Sequence, residues 1–333
     1  MKLENRDLVC STRQSIDINC LAFRLPMRAP EHEHHRSGWQ FVMRHLCLHN
    51  DPSGILLDDF IERSFQRPGR RQQWLEPWVG IFHHPPNLPV WLDPTAPPQA
   101  IFNVPQFLAS LPHLQGAIAL SEHLARWLRR TLRRPVLVRK HPTEIPSKHF
   151  SIERWHAEPR QKLVQIGWYA RNQRAIYQVD VPKNFRKVHL LQDRHWVARA
   201  IKLTDEFSPH RNRPISGPVD VMREVDDEQY DDVLASSLVF NEYWDVSASN
   251  AVIEAIARST PLVINRHPAL VEYLGTSYPL FFDHISEVKE MLADTARIRA
   301  AWEYLRTMDK RWLCANRFAE DVIGFVRSVS QKL

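Results

Sequence analysis

Short apolar runs and longer stretches with an apolar residue every three or four positions take turns along this chain. The runs at 78–82 (WVGIF), 116–120 (GAIAL), 136–138 (VLV), 162–166, 188–191, 219–225, 238–240, 262–264 and 280–282 predict strands. Helical spacing predicts helices at 37–46, 103–111, 121–134, 226–236, 251–258 and 268–274, then from 286 to about 310 and over 312–329. Residues 16–23 predict a first strand, and 55–65 (ILLDDFIERSF) begins apolar and turns amphipathic. Strands alternating with helices in both halves predict an α/β protein of two doubly wound, Rossmann-like domains, with a ligand cleft between them. The polar, proline-containing stretch 141–160 marks the boundary. It gives an amino-terminal domain over 1–145, a linker over 146–160, a second domain over 161–311 and a last helical segment over 312–333.

Residues 238–275 (LVFNEYWDVSASNAVIEAIARSTPLVINRHPALVEYLG) organise the second half. They read as strand, polar loop, helix, strand and short helix. Ser249 or Asn250 offers a side-chain oxygen to cap the helix. Thr260-Pro261 ends the helix, and Gly275 suits a left-handed cap after the next one. A helix N-terminus at the carboxyl end of a parallel sheet suits phosphate, with the amides of Ser249, Asn250 and Ala251 as its cradle. Glu254 lies one turn in, where a carboxylate can accept hydrogen bonds from sugar hydroxyls. On spacing alone the plainer reading is favoured, in which Glu254 complements the helix dipole.

The run AVIEAIARSTPLVI (251–264) resembles the segment "x-x-x-E-A-h-A-x-G-x-P-V-V" of GT-B glycosyltransferases, especially those of the family 4 type. HPALVEYLG (267–275) resembles the "P-x-h-x-E-h-h-G" element that follows it there. The chain departs from the pattern at Ser259, where the family has glycine, and at Val246, where it has an acid. Asp245 or Glu242 stands in for that acid. The resemblance is strong over about 160–290 and weaker over 75–145.

This resemblance implies the GT-B fold and transfer of a hexosyl unit from a nucleotide-diphosphate sugar to an acceptor hydroxyl. The acceptor is expected to be a saccharide or glycolipid of a bacterial surface, and both retaining and inverting enzymes share the fold. In the family the first strand of the second domain ends in a glycine loop with a basic residue for the donor diphosphate. Here those are Gly167 and Arg171, with Arg174 as the substitute. The resemblance also puts a histidine of the amino-domain loop near the reacting sugar. His83 or His84, in the proline-locked HHPP loop after 78–82, takes that place, to orient the sugar or assist proton transfer. The plainer reading is an imidazole hydrogen-bonded at a strand end. The last helix is expected to cross back to the amino domain.

Composition narrows the alternatives. The chain has 333 residues, a formal charge of +6 and nine glycines, none spaced as GxGxxG or GxxxxGK. No D-x-D pair occurs to hold a divalent ion, so no metal or cofactor is expected. EHEHH at 31–35 has metal-ligand residue types but no companion cluster, and reads as a polar loop. Four cysteines at 10, 20, 47 and 314 form no CxxC and suggest no disulfide framework, which fits a reducing cytoplasm. No apolar run is long enough to span a membrane. The outward arginines of 121–134 read as a solvated face or, alternatively, as a peripheral contact with anionic membrane beside a glycolipid acceptor. Basic charge and eleven tryptophans raise a nucleic-acid-binding alternative, but the basic residues are dispersed and most tryptophans sit in apolar runs. A non-catalytic scaffold of the same fold is the third reading.

Overall fold

The structure is a computed structural model and describes residues 23–26, 38–66, 69 and 71–330. EHEHH at 31–35, and all of the strand expected at 16–23 except Phe23, lie outside the described residues. The chain forms two units. The amino unit takes in residues up to Pro86, then Thr95–Glu144, then residues from Asp309 onward. The carboxyl unit takes in Asn87–Pro94 and Ile145–Met308.

In the amino unit β1 (Phe23–Arg24), β2 (Ile55–Asp58), β3 (Trp78–Phe82), β4 (Leu114–Ala119) and β5 (Val136–Val138) lie side by side in chain order. All are parallel. The apolar run of β3 is buried at every residue, as expected of a parallel strand covered on both faces. Phe65, Trp78, Phe82 and Phe107 form its core with Leu124 and Leu128. The helix Glu122–Leu132 starts where the Ser121 hydroxyl accepts the Leu124 N–H at 3.3 Å. Leu124 and Leu128 point inward, while Arg126, Arg129, Arg130, Arg133 and Arg134 are exposed. The helix Ala315–Ser330 packs in this unit. Phe318 meets Trp39 edge-on at 6.0 Å, Asp321 accepts from Arg139 at 2.6 Å, and Gly116 leaves room for Phe325, whose ring would lie 2.7 Å from an added Cβ.

The carboxyl unit holds β6 (Gln161–Ile166), β7 (Phe185–Leu191), β8 (Val219–Arg223), β9 (Leu238–Asn241), β10 (Leu262–Asn265) and β11 (Phe281–Phe282). The sheet is parallel with spatial order β11-β10-β9-β6-β7-β8. The winding therefore reverses between β6 and β9. Connections leave those two strands in opposite directions, and the carboxyl ends of strands at such a switch point are where open α/β sheets bind ligands.

Several features depart from the sequence expectations. The helix His195–Phe207 was not expected; it buries Val197, Ala200 and Thr204, a stripe too weakly apolar to stand out. β7 starts at Phe185, because the buried Lys187 ammonium is satisfied by the carbonyls of Tyr177, Val179 and Ser216. Cys314 is disulfide-bonded, against the expectation from cysteine spacing, while Cys47 is a free thiol. No helix among the described residues is long and apolar enough to cross a membrane.

Candidate anion site at the switch point

The loop after β6 turns back sharply and carries Arg171 to the start of the helix that follows β9. Gly167 has φ 74°, open to glycine at little cost, and a Cβ there would run into the Arg171 guanidinium. Ala170 has φ 64° without being glycine, a conformation that costs about 1–2 kcal/mol and is held only by its surroundings. Two backbone bonds fix it: Trp244 N–H to the Ala170 carbonyl at 2.9 Å and Asn172 N–H to the Glu242 carbonyl at 2.8 Å.

Arg171 is 7% exposed. Its Nε donates to Tyr243 Oη at 3.0 Å, Nη1 to the Tyr169 carbonyl at 3.3 Å and Nη2 to Ser249 Oγ at 2.9 Å. Its guanidinium lies 4.8 Å from the Tyr243 ring centroid. Every one of these partners is neutral. Among the described residues no carboxylate lies within ion-pair distance of this buried charge.

Arg174, the other candidate, is held differently. Its Nε and Nη2 both donate to the Asp205 carboxylate at 2.5 Å, and this partner holds the guanidinium above its usual range. Its charge is answered within the chain.

Ser249 is the N-cap of the helix Asn250–Arg258, yet its side chain makes no cap bond, contrary to expectation. The hydroxyl is taken by Arg171 and by Tyr243 Oη, 2.6 Å away. The Ser249 carbonyl accepts the N–H groups of Val252 and Ile253 at 3.0 Å. The amides of Asn250 and Ala251 precede any possible intrahelical partner. Hydroxyl, amide and guanidinium donors thus gather at the positive end of a helix, a set suited to a phosphate group.

Glu254, 2% exposed, lies one turn deeper, and its Oε2 accepts from Tyr230 Oη at 2.5 Å. Burial and that carboxylate push the Tyr230 phenol well above its usual range, so it stays a proton donor. Tyr230 comes from the helix Asp227–Ser236, which opens with a reciprocal Asp226–Gln229 capping box. Of the two acids that stood in at Val246, Glu242 accepts from Asn172 Nδ2 at 2.6 Å and Arg213 at 2.7 Å. Asp245 accepts the Asn87 N–H at 2.5 Å and faces His267 Nε2 at 2.8 Å. Ser259 sits at φ 59°, a left-handed cap position where glycine fits without strain. Gly275 has φ 87° and ψ 152°, outside the left-handed helical cap it was expected to form but still a glycine conformation.

His83 and His84 follow β3 in the amino unit. The His83 ring stacks on Phe60 at 3.8 Å, meets Trp39 edge-on at 4.3 Å and places Nε2 3.0 Å from the Asp59 carbonyl. Burial lowers its pKa far below the usual range, so the ring is neutral. His84 Nδ1 lies 3.1 Å from the Ala96 carbonyl. The amides of both residues donate to Glu62 Oε1, at 2.9 and 2.8 Å.

Tyr243, Tyr230 and Asn172 were not anticipated. Each meets its partner across dozens of residues, and no local spacing marks them.

No protein-family model and no curated protein matches the chain. Solved structures do. An α,α-trehalose-phosphate synthase (UDP-forming) from Burkholderia vietnamiensis is 12% identical, over 87% of this chain and 76% of that one, with a TM-score of 0.53. A UDP-forming α,α-trehalose-phosphate synthase from Burkholderia xenovorans is 10% identical, over 88% and 79%, with a TM-score of 0.52. The trehalose-6-phosphate phosphatase N-terminal domain of Candida albicans is 11% identical, over 88% and 76%, with a TM-score of 0.51. At such identities the likeness is one of architecture, and the chain has the two-unit parallel α/β architecture of the GT-B fold.

Proposed function

We propose that the chain is a glycosyltransferase that moves a hexosyl unit from a nucleoside-diphosphate sugar to an acceptor hydroxyl. The observation that carries the reading is Arg171, a buried guanidinium whose partners among the described residues are neutral, beside a helix N-terminus at a sheet switch point. Two proteins of like fold are UDP-forming synthases, and the donor class is carried over from them.

In this reading the acceptor oxygen bonds to the anomeric carbon as the bond from that carbon to the diphosphate breaks. The diphosphate leaves with the electron pair. Arg171 and the amides of Ser249, Asn250 and Ala251 stabilise the charge that develops on it. Glu254, which Tyr230 holds in place, binds donor hydroxyls. His83 or His84 orients the sugar or assists transfer of the acceptor proton. Charge stabilisation by the protein makes a metal unnecessary. The acceptor is a saccharide or glycolipid of a bacterial surface, and the exposed arginines after Ser121 rest against anionic headgroups.

The test is thermal unfolding against a panel of nucleoside diphosphates and nucleotide sugars. A ligand at a hundredfold excess over its Kd stabilises by about 2.7 kcal/mol. A selective rise in midpoint, followed by sugar transfer, is expected. No shift with any of them rejects the reading, and binding without transfer leaves a non-catalytic scaffold.

A further inference from the structure

Asn87–Pro94 belongs to the carboxyl unit, although the chain on both sides of it belongs to the amino unit. Two anchors hold it there. At its start the Asn87 N–H donates to Asp245 Oδ2 at 2.5 Å. Asp245 is itself well held: it is 1% exposed, and its Oδ1 accepts the Val246 N–H at 2.9 Å and faces His267 Nε2 at 2.8 Å. His267 Nδ1 accepts the Ala269 N–H at 3.2 Å, so the ring proton sits on Nε2 and points at Asp245. Farther along, Trp91 meets Trp244 edge-on at 5.6 Å, and Trp244 stacks on His210 at 5.1 Å. Leu88 is buried between the two anchors.

Both anchors land on the loop that serves Arg171. Tyr243 contacts the guanidinium, while the next two residues, Trp244 and Asp245, receive the segment. The Trp244 N–H holds the Ala170 carbonyl at 2.9 Å, and Ala170 is the residue with positive φ that aims Arg171. The path from the segment to the cation is therefore a ring contact from Trp91 to Trp244, a hydrogen bond from Trp244 to Ala170 and the peptide bond to Arg171.

The geometry points to Trp91 and Asp245 as positioning residues of the anion site: by seating 87–94 on the loop after β9, they hold Arg171 and Ser249 ready for a diphosphate. This rests on the donor-site reading above. A guanidinium already held in its binding position loses less freedom when phosphate arrives, so loosening its support weakens binding without touching the ligand.

The experiment is calorimetric titration of the full chain with UDP and GDP, for the unaltered protein, Trp91→Ala, Trp91→Phe and Asp245→Asn. Trp91→Ala is expected to weaken binding about 5- to 10-fold. Trp91→Phe restores it by keeping an aromatic edge against Trp244. Asp245→Asn, which keeps the shape but weakens the hold on Asn87, gives an intermediate loss. A purely structural role would lower the melting temperature of Trp91→Ala and leave the affinity of its folded fraction unchanged, and that result overturns the inference. If Trp91→Ala does not fold, equal affinity of Asp245→Asn and the unaltered protein overturns it instead. If the unaltered protein binds neither nucleotide, the donor-site reading falls and takes this inference with it; binding that is indifferent to all three substitutions removes the inference alone.

Discussion

The helix Asn250–Arg258 has a buried arginine at each end, and the fold treats the two differently. At the carboxyl end Arg258, 3% exposed, meets the equally buried Asp231 at 2.5 Å. At the amino end Arg171, 7% exposed, meets two hydroxyls and a carbonyl. Removing a charge from water costs several kcal/mol unless a counter-charge or good donors and acceptors replace the solvent. Among the described residues Arg258 has a counter-charge and Arg171 has none. The first arrangement holds two helices together; the second leaves a guanidinium among neutral groups, which is what the proposed anion site relies on. Two buried histidines show a further solution, which is to shed the charge altogether: burial pushes both His141 and His189 down to about 4.

The sharpest way to break the comparison is to remove the counter-charge. Asp231→Ala strands Arg258 in the interior and should cost about 3–5 kcal/mol in urea unfolding. Arg171→Met should leave stability within about 1 kcal/mol, because no pair is broken, yet weaken nucleoside diphosphate binding by about 3 kcal/mol, more than 100-fold. Equal losses of stability in the two variants, with binding intact in Arg171→Met, would make both arginines structural.

The histidines predict a pH dependence. Their folded pKa values lie below the unfolded value near 6.5, so the unfolded chain takes up protons first as pH falls. Stability is complete above about pH 6.5 and is lost as pH drops toward about 4, by roughly 2–3 kcal/mol per histidine at pH 4.5. His189→Gln should flatten this slope in urea titrations at stepped pH; an unchanged slope would mean that His189 does not contribute. The smallest effect belongs to Asp226→Ala. It removes the cap of the helix that carries Tyr230 and Asp231 and should cost about 1 kcal/mol, read from the urea midpoint.

Much of the scaffold was legible in advance. β3 and the helix Asn250–Arg258 follow their apolar spacing to within a residue, because burial of a strand or a helix stripe is written in neighbouring positions. Where a polar residue is buried, legibility fails. Lys187 hides the start of β7, and Thr204 blurs the stripe of His195–Phe207, because each satisfies its polar atoms on distant or main-chain partners. The candidate site was half legible: Gly167, Arg171 and Ser249 were named from the chain, but not what each one touches.

The sequence by itself determined the alternation of strands and helices, a helix start at Ser249 or Asn250 and the two arginines that compete for one role. Only the tertiary structure shows how the partners of those arginines differ. Arg174 finds Asp205 from 31 residues away, and Arg171 finds Ser249 from 78. It also turned the Ser249 hydroxyl from its helix toward Arg171, and moved Asn87–Pro94 into the unit that its neighbours in sequence do not share. The physical reason is range. Helix and strand periodicity is set by residues a few positions apart, whereas hydrogen bonds and ion pairs are decided within about 3–4 Å in space, between groups that only the complete fold brings together.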